Sequence, residues 1–441
     1  MKASNDWWPI EMTRIQIAIA LLGVIVIVFS FSLDSLGFGS PGSFGIGQAI
    51  LLTVGILGLL TGLLGRKVIT LYKGFAIILL NTLILLALVE LAAIVFARSG
   101  QNYDAQTQAL PYYAEQDWTA QYFSEAFAAE VFRYEPYVTW RHKPFDGDLM
   151  NLNHDGFRET PGATCTDNAF EVFAFGGSTM LGWGSPDWGT IPAYLQAKLS
   201  EKREADICVI NFGQSGYVST QSLVALLLEL QAGNFPDLVI FYDGVNEVQA
   251  AYESGLARVH VNLAPVADRF EQREHPLVSF IKTTRTYALV EDWVISRAKK
   301  QLNEGSLILD IQMNEAQIEE LSDSVTEIYL NNYKLVDSLA QEYNFDFLFV
   351  LQPHLALGHK PLTAEENAML SSMDPRLTAL AQDIYHKITS GRPQSEHFLD
   401  LQDVFAETTQ QVWIDTGGHI TPAGNLFVAE QILDFIDIEA R

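Results

Sequence analysis

Three nearly unbroken apolar runs, at about 15–33, 49–64 and 75–96, occupy the first hundred residues and constrain this chain more than any other feature. Where apolar surroundings exclude water, every backbone N–H and C=O must be satisfied internally, and a helix does this within a single segment. At 1.5 Å per residue, each run is about long enough to cross a hydrocarbon core of about 30 Å. Residues 1–98 are therefore expected to form an all-α membrane region of three transmembrane helices, with the lipid bilayer as partner. Gly55, Gly58 and Gly62 in the second run would let another helix approach closely. The first run is too long, and too far from any small-residue cleavage site, to be a removable signal.

Basic residues orient this region. Lys2 and Arg14 precede the first run, Arg66, Lys67 and Lys73 fill the turn between the second and third, and 34–48 holds none. Positive residues tend to stay cytoplasmic, which predicts a multi-pass protein of the cell (inner) membrane whose C-terminal domain is extracytoplasmic; Arg98 alone argues the other way. Asn81 and Glu90 fall inside the third run, and Glu90, near its outer end, reads as a hydrated or helix-paired carboxylate rather than a transport site. Residues 1–98 carry six Lys/Arg and four Asp/Glu, a net of +2, so the total of -26 leaves -28 on 99–441. Such an anionic domain is repelled by phosphate backbones, which argues against nucleic acid as a partner. The two cysteines, Cys165 and Cys208, are too few for a multi-thiolate zinc site. Outside the cytoplasm one bridge between them is geometrically allowed, two separate buried thiols being the alternative.

From 99 to 167 the chain is aromatic and polar without a clear period, with Tyr112, Tyr113, Trp118, Tyr122, Tyr134, Tyr137 and Trp140 along it. Disordered linkers are poor in aromatics, so this is expected to be an ordered connector. Beyond it, short apolar runs at 172–175, 207–212, 238–242, 345–351 and 398–401 alternate with amphipathic stretches at 190–202, 220–231, 314–343, 364–388 and 422–436. Continuous apolar strands separated by helices predict a parallel sheet covered on both faces, a three-layer α/β/α domain over 168–441. Residues 250–305 fit no strand-helix unit and read as an insertion near the site rim.

Four segments fall at the carboxyl ends of these strands or in equivalent loops: Gly176-Gly177-Ser178-Thr179, Asn211 to Gly216, Asp243 to Glu247, and Asp415 to His419. A serine hydroxyl needs a base within hydrogen-bond reach, for which His419 is the candidate. The imidazole needs an acceptor to fix its tautomer, which Asp415 would supply. Acyl transfer also creates an oxyanion, so donors are required: the Ser178 and Gly216 N–H groups and the Asn246 amide. His419 is followed by Thr421 and Pro422, which read as the cap and first turn of the last helix. Asp243 and Glu247 read as solvated loop carboxylates. His354 and His359 read as rim residues, and no histidine pair shows metal-ligand spacing. No metal and no cofactor is expected.

These four blocks, in order, resemble those of the SGNH/GDSL hydrolase superfamily, and the run Asn153 to Arg158 resembles the lead-in of membrane-attached bacterial members with a GGST first block. The resemblance covers the chain from about Gly156 to the end. It implies a flavodoxin-like sheet and an esterase or acyltransferase using Ser178 as nucleophile and His419 as base, with Ser178, Gly216 and Asn246 as the oxyanion hole. The expected substrate is an ester, with an acetylated envelope or exported glycan as one class. Two departures stand out. Gly177 replaces the Asp of the family's name-giving motif, and Asp415 lies four residues before His419 where the family's acid lies three before. Either the extra glycine bulges outward and leaves Asp415 in reach, or the site is a Ser-His dyad. Three functions stay open on the sequence: hydrolysis of the ester, transfer of its acyl group to a sugar, and a catalytically silent glycan-binding or assembly subunit.

Overall fold

The computed structural model describes residues 14–32, 46–64, 66–99, 107–203, 205–271, 281, 284–287, 289–290, 315–393 and 396–436. The chain divides into two compact units, one made of Met1–Ser99 with Ile281–Val290 and the other of Gly100–Phe280 with Glu291–Arg441.

The first unit contains α1 (Arg14–Ser32), α2 (Ile46–Leu64) and α3 (Arg66–Ser99). Three transmembrane helices were expected. Two stretches, Gly47–Leu64 and Gly74–Ile94, are long and apolar enough to cross a membrane, whereas the apolar part of α1 is the shorter Gln16–Ser32. α1 and α2 pack backbone against backbone. A Cβ on Gly23 would lie 2.5 Å from the Leu59 nitrogen, and one on Gly62 would lie 2.7 Å from the Ala20 nitrogen, so only glycine permits this approach. The basic residues at 66, 67 and 73 do not form a turn. They lie in the opening turns of α3, since nothing between 66 and 73 breaks a helix. The Glu90 carboxylate accepts the N–H of Thr286 at 2.9 Å and its hydroxyl at 2.6 Å, so part of the expected insertion belongs with the helices.

The second unit begins with α4 (Pro111–Ala114), α5 (Thr119–Ala129) and an antiparallel pair, β1 (Phe132–Glu135) and β2 (Thr139–His142). Five strands then form one parallel sheet in the order β4-β3-β5-β6-β7, where β3 is Phe170–Gly176, β4 Ile207–Asn211, β5 Leu238–Asp243, β6 Asp346–Leu351 and β7 Phe398–Asp400. Counted from β3, this is the doubly wound order 2-1-3-4-5, whose switch point lies beside the first strand.

Alternation along the strands builds two cores. Phe173, Phe175, Val239, Phe241, Phe347 and Phe349 face one side, while Val172, Ala174, Leu238, Ile240, Leu348 and Val350 face the other. Over the phenylalanine face lie α8 (Ser219–Ala232), α9 (Val245–Ser254), α11 (Glu315–Tyr343) and α13 (Pro375–Gly391), and over the aliphatic face lie α7 (Ile191–Lys202) and α14 (Pro422–Phe435). Further helices in this unit are α6 (Ser178–Leu181), α10 (Leu263–Glu271) and α12 (Ala364–Ser372). The stretch 364–388 is two helices because Asp374 caps a new one that has Pro375 in its first turn.

The aromatic connector is built into this unit. Tyr113, Tyr122, Phe123 and Ala126 form a third core with Leu181, Trp183 and Ile414, next to the candidate site. Cys165 and Cys208 are joined in a disulfide, which decides the alternative the sequence left open. The bridge closes a separation of 43 residues and ties the lead-in of β3 to β4, a constraint worth about 4 kcal/mol in chain-entropy terms.

Candidate active site

β3 is buried on both faces and ends at Gly176, and Gly177 caps the four-residue α6 so that Ser178 begins it. As the first residue of a helix, Ser178 has an N–H with no partner inside that helix. Its Oγ lies 2.7 Å from His419 Nε2, and His419 Nδ1 lies 2.6 Å from Asp415 Oδ2. The structure thus brings Ser178, His419 and Asp415 into one hydrogen-bonded line. The four-residue spacing closes because Gly418 adopts φ +86° and Asp415 Oδ1 accepts the Gly417 N–H at 2.8 Å. The antiparallel bridge between Trp413 and Ile420 holds the two ends of this loop together. Thr421 Oγ1 then accepts the Gly424 N–H at 3.2 Å and caps α14.

Asn246 reaches over from the first turn of α9 and donates through Nδ2 to the Tyr217 carbonyl at 2.7 Å, leaving its second amide hydrogen. A Cβ at position 177 would stand 2.3 Å from that Nδ2, which is why a side chain is excluded there in this arrangement. Gly216 has φ +75°, and its N–H has no acceptor among the described residues. The three expected oxyanion donors therefore come from three different strand ends.

The Gly216 loop is gripped by the connector. Trp140 Nε1 donates to the Ser215 carbonyl at 2.9 Å, the Tyr217 hydroxyl donates to the Trp140 carbonyl at 2.5 Å, and the His142 N–H donates to Gln214 Oε1 at 2.9 Å. Arg158 does the same for the turn after the nucleophile. Although it is 2% exposed, each of its three nitrogens finds an acceptor: Nε on Asp187 at 2.8 Å, Nη1 on the Leu181 and Gly182 carbonyls, and Nη2 on the Ser185 carbonyl at 2.6 Å. The sequence singled out Arg158 only as part of a lead-in, and nothing in it marked Trp140 or His142 beyond aromatic content.

Three expectations are corrected. Asp243 and Glu247 are 2% and 8% exposed, not solvated. Glu247 accepts the N–H groups of Ser219 at 2.5 Å and Gly244 at 2.8 Å and so ties the start of α8 to the third block, while burial and the neighbouring Glu247 charge push the Asp243 carboxyl well above its usual range. His354 is likewise buried, which lowers it to about 4, and only His359 lies on the surface, beside Asp403 at 2.7 Å.

Burial by itself would depress the His419 pKa, but the charge and hydrogen bond of Asp415 outweigh it, so the ring sits above its ordinary 6.5. A base must be neutral to take a proton, so activity is expected to rise with pH through this raised value. Replacing Asp415 with Asn removes the larger of the two charges that oppose burial, leaving only that of Glu130. The acidic limb of the kcat/KM profile is then expected to move to lower pH, while the plateau falls by about 10³–10⁴-fold. An unmoved limb in a pH-rate series would remove Asp415 from the site.

No protein-family model and no curated protein sequence matches this chain. Solved structures do. An acetyl xylan esterase, AlAXEase, matches at 15% identity and TM-score 0.33, over 60% of this chain and 99% of that one. A putative lipolytic protein of the G-D-S-L family from Desulfitobacterium hafniense matches at 10% identity and TM-score 0.32, over 60% and 99%. An acetylxylan esterase from Geobacillus stearothermophilus, a catalytic mutant, matches at 15% identity and TM-score 0.33, over 62% and 96%. At these values the likeness identifies no activity for this chain.

Proposed function

We propose that the protein is a membrane-anchored, extracytoplasmic serine esterase that hydrolyses a carboxylic ester, with an O-acetyl group on an envelope or exported glycan as the substrate class. The observation that carries the chemistry is the line Ser178 Oγ, His419 Nε2 and Nδ1, Asp415 Oδ2, at 2.7 and 2.6 Å. In the forward step Ser178 Oγ attacks the ester carbonyl, His419 Nε2 takes its proton, and Asp415 holds the imidazolium. The tetrahedral oxyanion is received by the N–H groups of Ser178 and Gly216 and the free amide hydrogen of Asn246. The proton passes to the departing alcohol, leaving an acyl-serine. Water then attacks with His419 as base, releasing the acid and restoring the serine.

The location rests on other observations. Along α3, Phe75, Ile78, Leu80, Leu85 and Leu91 are all more than half exposed, an apolar surface that water does not tolerate and a bilayer covers. Only 6% of the Gly74–Ile94 window is buried, unlike the core helix of a soluble protein, which supports this reading. The Cys165–Cys208 disulfide fits an oxidising compartment. A single experiment tests site and side together. In sealed right-side-out membrane vesicles, a charged, membrane-impermeant phosphonate is expected to label the protein on Ser178, and a Ser178→Ala variant is expected to stay unlabelled. Labelling only after lysis would reverse the orientation, and equal labelling of the variant would remove the nucleophile.

A further inference from the structure

Glu130, at the C-terminal end of α5, is a carboxylate that this reaction does not use. Its Oε1 accepts the Ser215 hydroxyl at 2.8 Å and faces His142 Nε2 at 3.3 Å. Its Oε2 has no hydrogen-bond partner among the described residues, and 26% of the side chain is exposed.

Two lines of contact place it beside the site. Ser215 directly precedes Gly216, so Glu130 touches the oxyanion loop. Phe127, three residues earlier on α5, lies edge-on to Trp183 at 5.4 Å, and the Trp183 ring is 6.2 Å from that of His419. The Glu130 charge also reaches His419, adding to the effect of Asp415 on the ring. A carboxylate oxygen is acceptor-only when ionised, so its complement is a donor. With the Ser215 hydroxyl and the His142 ring already against Oε1, what Oε2 lacks is one further donor.

We propose that Glu130 is a substrate-recognition residue whose Oε2 accepts a hydrogen bond from a hydroxyl on the alcohol portion of the ester, favouring esters of polyhydroxylated alcohols. This rests on the serine esterase reading. It is tested by measuring kcat and KM of the full-length protein in detergent on 4-nitrophenyl acetate, an O-acetylated disaccharide and acetylcholine. Glu130→Leu, which removes the acceptor, is expected to lower kcat/KM on both neutral esters but about ten-fold more on the disaccharide, chiefly through KM, as the loss of one hydrogen bond predicts. Glu130→Gln, whose amide still bonds a hydroxyl, is expected to show only about a three-fold difference between the two. Parallel losses on both neutral esters, or a larger loss on acetylcholine, overturn the proposal. Should Glu130→Leu fail to fold, the Glu130→Gln ratio decides, and an unchanged ratio overturns it. A wild-type protein inactive on all three esters, or an active Ser178→Ala variant, overturns the esterase reading and this proposal with it.

Discussion

Ser178→Ala is expected to lower kcat for ester hydrolysis by at least about 10⁴-fold while leaving KM and thermal stability nearly unchanged. Such a loss corresponds to about 5.4 kcal/mol of transition-state stabilisation. The size follows from mechanism. Without Oγ there is no acyl-enzyme route, and only the oxyanion donors and substrate positioning remain to assist water. Stability should hold because among the described residues the Ser178 Oγ hydrogen-bonds to His419 alone, at 2.7 Å, and alanine suits the first turn of α6. Steady-state kinetics beside a thermal melt read both quantities. Activity within ten-fold of wild type would mean that another group carries the chemistry, whatever the geometry around His419.

Arg158→Met is expected to produce the largest loss of stability, about 3–5 kcal/mol, because it breaks a buried ion pair by removing one partner. Asp187 would be left with its charge at 8% exposure, and the carbonyls of Leu181, Gly182 and Ser185 would lose the guanidinium's hydrogen bonds. For a unit of this size, that is a fall of roughly 10 °C in thermal midpoint. Activity should fall as well, since Gly182 and Trp183 both donate their N–H groups to the Ser178 carbonyl at 2.9 Å and the turn they occupy supports α6. Arg158→Met combined with Asp187→Leu should cost less than the sum of the single changes, because no charge is then stranded. A single-variant loss below about 1 kcal/mol would show that the guanidinium is dispensable.

The site also bears on which function the chain can perform. A silent subunit was suggested by one irregularity, the four residues from Asp415 to His419. That irregularity ends in a 2.6 Å contact, because Gly418 takes a left-handed conformation and the loop folds back on itself. A spacing rule counts residues along the chain, whereas the imidazole responds to where the carboxylate ends up.

Much of the parallel sheet was legible in the sequence because its signals are local. Runs such as VFAF and LVIFY are apolar on both faces only if both faces are covered, and the glycines at 176 and 177 end β3 next to a serine. The helix beginning at Pro422 and the glycine-rich approach of α1 and α2 were likewise written in neighbouring residues. What the tertiary structure alone decided depends on pairs far apart in sequence. Burial of Asp243 and Glu247 could not be read from a loop of ordinary turn composition, since a carboxylate is buried or solvated according to what packs over it. The Cys165–Cys208 pairing, the reach of Arg158 into the turn at 181–185, and the seating of Trp140 and Glu130 on the Gly216 loop all join segments from 23 to 85 residues apart. Composition and periodicity determine which residues prefer the core and which end a strand. Which donor meets which acceptor is set only when the strands, helices and connector have packed, because a hydrogen bond requires a separation of about 3 Å that no local pattern encodes.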